Sequence, residues 1–152
     1  MREVMTYRVD SATADEIAQH LSLCDRDFVP PLSGRVEIED YAKKIVNFAT
    51  RFEAWSAGTL VGLVAVYCND MKTRIAHITS VSVLREWSGQ GIAIHLMGLC
   101  IQHAGACGMN RIRLEVNGDN ASAIGLYEKL GFIAGEANAS SIIMDLHMKS
   151  GE

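Results

Sequence analysis

The sequence predicts a mixed α/β fold, with residues 1–152 as a single domain, on three observations. Short stretches of alternating apolar and polar residues read as strands. Longer stretches with apolar residues three and four apart read as helices. The two kinds interleave without an internal repeat, linker or low-complexity run. A chain of 152 residues closes one core and buries roughly 70% of its unfolded surface.

Thr6 to Val9 reads as the first strand. Thr13 and Glu16 then stand at capping-box spacing before a helix whose apolar stripe is Ile17, Leu21 and Cys24. Asp27 to Arg35 holds both prolines, Pro30 and Pro31, and breaks into a loop. A second helix follows, with Ile38, Tyr41, Ala42, Ile45 and Val46 on one stripe and its acids ahead of its lysines, as the helix dipole favours. Thr50 to Ser56 and Thr59 to Cys68 flank Ala57-Gly58, a tight hairpin. Ile75 to Val83 is a further long strand, and a very apolar helix runs from Gly91 to Ala104.

Arg111 to Val116 alternates, with Ile112, Leu114 and Val116 on one face. Asn120 caps a helix to Leu130, which Gly131 ends as a C′ glycine before apolar Phe132. Strands at Phe132 to Ala134 and Ser141 to Leu146 complete the order β-α-α-β-β-β-α-β-α-β-β.

Apolar residues make up 49% and charged residues 21% of the chain, the balance of a globular protein. A net charge of −4 argues against a nucleic-acid partner, which needs a clustered basic surface, and is compatible with a cationic amine. No run approaches the ~20 apolar residues of a membrane span. Met1 to Thr6 lacks the apolar centre of a secretory leader, so the expected location is cytoplasmic. Cys24, Cys68, Cys100 and Cys107 have no metal-ligand spacing and read as buried reduced thiols, with no metal expected.

The chemistry concentrates in the second half. Ser88-Gly89-Gln90-Gly91-Ile92-Ala93 lies between a strand and an apolar helix. Glycines there let backbone approach an anion, and the first helical N–H groups point at it. Ile94 stands where a dinucleotide fingerprint needs its third glycine, and no Lys-Ser/Thr pair follows as in a nucleotide P-loop.

Val81 and Val83, then Gly89, Gly91 and Ala93, then Glu115-Val116, then Asn120 with Ala123-Ile124, Leu126-Tyr127-Glu128-Lys129 and Gly131-Phe132 resemble the GNAT superfamily of acyl-CoA-dependent N-acetyltransferases. The resemblance is strongest from Ile75 to Phe132. It implies a GNAT-type fold with a mixed, mostly antiparallel, splayed sheet flanked by helices, and acetyl-CoA as co-substrate.

It also implies site residues. Backbone from Val81 through Ser82 to Val83 would pair with the pantetheine arm. Amides from Ser88, Gly89, Gln90, Gly91, Ile92 and Ala93 would hold the pyrophosphate. Asn120 would contact the pantetheine or shape the cleft, and Tyr127 would face the thioester sulfur and protonate the leaving thiolate. Ser88 departs from the family's usual Arg or Gln, and Arg85 is the alternative source of charge.

Two residues are candidates for the base. Glu115 is used so by some family members, or it pairs with Arg113 or another surface group. His77 stands four positions before Val81, where histone-acetylating relatives carry a glutamate. Strand alternation puts it on the face of Thr79, Val81 and Val83.

Phe28, Pro31, Arg35 and Tyr67 are the candidates for the acceptor groove. His95 and His103 read as structural, and His20 and His147 as solvent-facing. The expected reaction is direct acetyl transfer to a primary amine of a small molecule (amino sugar, amino acid or polyamine), by a monomer or homodimer with no membrane partner. The alternatives are a protein N-terminal or lysine acetyltransferase and, in another class, a non-catalytic acyl-CoA sensor.

Overall fold

The computed structural model describes residues 4–148, so residues 1–3 of the segment read for a leader lie outside it. Strand β1 (Met5–Val9) precedes helices α1 (Ala14–Cys24) and α2 (Ile38–Phe48), strands β2 (Thr50–Ser56), β3 (Thr59–Tyr67) and β4 (Ile75–Val83), and helix α3 (Ile92–Ala106). Strand β5 (Arg111–Asn117), helix α4 (Ala121–Lys129) and strands β6 (Ile133–Asn138) and β7 (Ser141–His147) follow. This is the order read from the sequence, with short 3₁₀ turns added at Asp25–Asp27, Leu32–Gly34 and Arg85–Trp87.

Local hydrogen bonds set several boundaries. At the start of α1 the Glu16 N–H donates to Thr13 Oγ1 at 3.1 Å, and the Thr13 N–H donates to Glu16 Oε1 at 2.9 Å. Ala57 and Gly58 take φ values of 50° and 79°, turning β2 into β3. At the end of α4 Gly131 takes φ 101°, and the Phe132 N–H reaches back to the Tyr127 carbonyl at 3.0 Å. That closing bond carries Phe132 into the core beside Tyr127.

The sheet has seven strands in the order β1-β2-β3-β4-β5-β7-β6. Every neighbouring pair is antiparallel except β4 with β5, which run parallel. Those two strands pair only from Ile75 to His77 against Arg111 to Arg113. Beyond that point β5 stays paired with β7 to Asn117, while β4 stays with β3 to Val83. The sheet therefore splays between the two.

On one face α1 and α2 bury Ile17, Leu21, Ala42 and Ile45 against Trp55, Leu63 and Ala65. On the other, α3 buries Leu96, Met97, Cys100 and Ala104 with Phe52, Val64 and Val66. Gly62 brings the first turn of α3 close to β3, since a Cβ there would lie 2.8 Å from Ile92 Cγ2. The start of α1 is seated by Glu53, fully buried, which accepts from the Ser11 and Ala12 N–H groups, Ser11 Oγ and Trp55 Nε1.

A bulge changes the expected facing of β4. Ala65 pairs with Ser80 and Val66 with Ile78, so Thr79 is the extra residue. Paired residues share a face, which puts His77 with Tyr67 and Ser80 with Ala65. Ile78 and Val81 follow Val66 and Val64 to the opposite face. Simple alternation had placed His77 with Val81 and Val83, and the bulge overturns that.

Candidate active site

The splay opens a cleft of about 1110 Å³. Its walls are β4 from Ile78 to Val83, the turn and first residues of α3, the end of β5, one side of α4, and the loop between α1 and α2.

At the α3 wall, Gly89 and Gly91 take φ values of 78° and 80°, and Gly91 is the helix N-cap. A Cβ on either glycine would meet nothing within 4 Å, so the backbone faces open space. The N–H groups of Gly89 through Ile94 donate to no backbone carbonyl among the described residues; the first helical bond is His95 N–H to Gly91 O. Free amides converging at a helix N-terminus suit a phosphate-bearing ligand. Ser88 is turned away from that duty, since its hydroxyl donates to the Arg85 carbonyl at 2.5 Å. Arg85 is committed as well: its guanidinium is ion-paired with Asp27, so the charge expected to replace the usual Arg or Gln is already matched.

Tyr127 lies on α4, buried yet lining the cleft. Its ring centroid is 6.0 Å from that of Phe132, and its hydroxyl has no hydrogen-bond partner among the described residues. Burial pushes the phenol up to about 12, so it stays protonated at neutral pH. Asn120 also lines the cleft while its Oδ1 caps α4 by accepting from the Ala123 N–H at 3.3 Å.

Glu115 lines the cleft from β5 and accepts a 2.7 Å hydrogen bond from Ser141 Oγ. Arg113, one partner considered for it, instead forms a two-point pair with Asp145 at 2.8 and 3.1 Å. His77 is exposed and does not line the cleft. Phe28 and Arg35 line the far end with Val81, Ser82 and Val83 nearby, whereas Pro31, Tyr67 and Gln90 are outside the lining.

Three residues of this region were not singled out for the site by sequence reasoning. Tyr41 of α2 donates its hydroxyl to the Thr79 carbonyl at 2.6 Å, and Thr79 Oγ1 lies at the same distance. Ser80 follows in the bulge, with a buried Oγ that makes no hydrogen bond. His20, read as solvent-facing, is 2% exposed. Its spacing from Ile17, Leu21 and Cys24 on one stripe was the available signal. His95 stacks on Tyr7 at 4.0 Å and His103 meets Phe52 edge-on at 5.5 Å, both structural contacts. Cys24 and Cys100 are buried as expected, but Cys68 and Cys107 are only half-buried. Among the described residues no helix is long and apolar enough to cross a membrane.

A sheet that opens beside a glycine-turned helix N-terminus, with a protonated phenol lining the same gap, is the architecture of an acyl-transferring enzyme. The model of the Acetyltransferase (GNAT) family matches residues 14–132, and the chain belongs to that family. The family is one of acetyltransferases.

Among curated proteins, the mycothiol acetyltransferase of Nocardiopsis dassonvillei is 36% identical over 58 residues. That match takes in 38% of this chain and spans only 18% of the relative's length. Among solved structures, the PaiA N-acetyltransferase of Thermoplasma acidophilum, in complex with coenzyme A, superposes with a TM-score of 0.74 at 16% identity, covering 94% of this chain and 99% of that one. The ribosomal-protein-S18-alanine N-acetyltransferase of Escherichia coli gives 0.77 at 21% identity, covering 98% and 97%. At those identities the likeness is one of fold.

Proposed function

We propose that this enzyme transfers the acetyl group directly to a primary amine of a small molecule, with Tyr127 as the acid and Glu115 as the base. The observation that carries the reading is that Gly89 and Gly91 to Ile94, whose amides are free, line one cleft together with Tyr127 and Glu115. Of the two base candidates, Glu115 lines that cleft and His77 does not.

The parts divide the work as follows. The amides at the start of α3 bind the pyrophosphate, with the helix dipole adding to their attraction. Val81 and Val83 of β4 have no β5 partner, so their backbone is free on that side to align the pantetheine. Acetyl-CoA, when bound, supplies the activated acetyl group as a thioester. Glu115 takes a proton from the acceptor ammonium at a carboxylate oxygen, because only the neutral amine is a nucleophile. Tyr127 holds its proton at Oη against the departing sulfur; burial keeps the phenol from ionising first. Phe28 and Arg35 bound the acceptor end.

The test is a screen of amine classes (amino sugars, amino acids, polyamines and peptides with free N-termini) for acetyl-CoA-dependent release of free thiol. Turnover with small amines is the expected result. Turnover confined to peptides would transfer the reading to protein acetylation.

A further inference from the structure

The acceptor end of the cleft carries a set of hydrogen-bond donors that acetyl transfer itself does not use. Tyr41 is the hub, its hydroxyl held by the Thr79 carbonyl and Oγ1 at 2.6 Å each. Ser80 of β4 and Tyr67 of β3 lie next to that pair, on the face of the sheet that α1 and α2 cover. Both of their hydroxyls are buried; Ser80 approaches Tyr41 and Tyr67 approaches Thr79, but neither contact has the distance and angle of a full hydrogen bond, and Ser80 is only 6% exposed while lining the cleft. A buried hydroxyl without a partner is unfavourable by itself and marks a place where a ligand atom supplies the missing bond.

The charges at this end point the same way. Asp27 is taken by Arg85, but Arg35 makes no ion pair among the described residues. Burial raises the Tyr41 phenol, and the Arg35 guanidinium lies close enough to offset part of that rise. A guanidinium with no ion pair and a buried hydroxyl lining the same cleft are donors of the kind that the two oxygens of a carboxylate accept from. The same cation repels an ammonium, which leaves the amine of such a ligand to turn toward Glu115 on the opposite wall.

We propose that Arg35 and Ser80 form a carboxylate subsite, so that the acceptor is an amino acid or a similarly small amine bearing a carboxylate. This rests on the reading of the chain as a small-molecule acetyltransferase and narrows it to one substrate class.

The experiment compares matched acceptors. The parent, Arg35→Ala, Arg35→Lys and Ser80→Ala are assayed with acetyl-CoA and the common amino acids. For each amino acid accepted, the decarboxylated amine and the methyl ester are assayed beside it. An accepted amino acid should exceed its decarboxylated amine and its ester by about 10- to 100-fold in kcat/KM, mostly through KM. Arg35→Ala should bring that ratio to within about threefold of one, Arg35→Lys should restore part of it, and Ser80→Ala should narrow it.

A second measurement does not depend on turnover: the accepted amino acid should raise the thermal midpoint of the parent and not of Arg35→Ala. Retention by Arg35→Ala of the thermal shift with acetyl-CoA shows that the variant is folded. Amines acetylated without regard to the carboxylate, or a preference that survives Arg35→Ala, would overturn the subsite and leave small-molecule acetylation standing. Turnover confined to peptides, or absent with every amine, would overturn both.

Discussion

His20 Nε2 accepts a 2.8 Å hydrogen bond from Ser82 Oγ, a residue 62 positions away that lines the cleft. The opposite ring nitrogen, Nδ1, lies 2.9 Å from the Leu60 carbonyl. A carbonyl can only accept, so Nδ1 carries a proton; burial lowers the ring to about 4, so at neutral pH the imidazole is neutral and Nε2 is the acceptor. The pair ties α1 to a strand that lines the cleft, and it sets a pH dependence.

Burial lowers His20 from 6.5 to about 4 in the folded state. Between those values the unfolded chain binds a proton that the folded chain does not, so stability is fully present above about pH 6.5 and is lost as pH falls toward 4. Urea unfolding should show a loss of about 2 kcal/mol from this residue between pH 7 and pH 5. His20→Gln keeps a donor and an acceptor without titrating, and its stability should be nearly flat across that interval. An equal slope in the variant would show that another group titrates.

The glycine cradle makes a prediction about the cofactor. Acetyl-CoA at a hundred times its Kd should stabilise the parent by about 2.7 kcal/mol, seen as a rise in Tm. Gly91→Glu puts a negative side chain where the phosphates sit and should abolish the rise. Gly91→Ala places a Cβ in open space, so it should lower Tm through the left-handed backbone, by about 1 kcal/mol, yet keep most of the cofactor shift. If the alanine and glutamate variants respond alike, backbone strain rather than charge is the cause.

Tyr127→Phe keeps the ring against Phe132 and removes only an unpartnered hydroxyl. Turnover should fall by about ten- to a thousandfold with little change in cofactor affinity. Stability should hold, because no intramolecular hydrogen bond is lost. An unaltered kcat would make Tyr127 a packing residue.

The base assignment separates two residues between which the linear motif leaned slightly to His77. Glu115→Gln should reduce kcat/KM by about a hundredfold or more. His77→Gln, at an exposed position off the cleft, should stay within about twofold of the parent. The reverse ranking would return the role to His77. Near-normal rates in both would assign proton removal to ordered water.

What the sequence alone determined was written in short range. The Thr13 and Glu16 cap, the Ala57-Gly58 turn and the Gly131 and Phe132 helix end depend on hydrogen bonds between residues at most five apart, so their residue types could be read directly. The stripe of Ile17, Leu21 and Cys24 and the alternation of Ile112, Leu114 and Val116 were equally legible, and all are buried. The glycine turn before α3 was legible in the same way, since Gly89 and Gly91 both take positive φ.

What only the tertiary structure decided depended on register between distant strands. One extra residue at Thr79 turns His77 away from Val81, sets Ser80 and Tyr67 beside Tyr41, and leaves their hydroxyls without partners. The Arg85 pair with Asp27 and the His20 bond to Ser82 likewise join residues 58 and 62 apart. The first pair meets at the surface and the second is buried, but both form because the fold brings α1 and the turn after it against β4, and no spacing along the chain encodes which group will meet which.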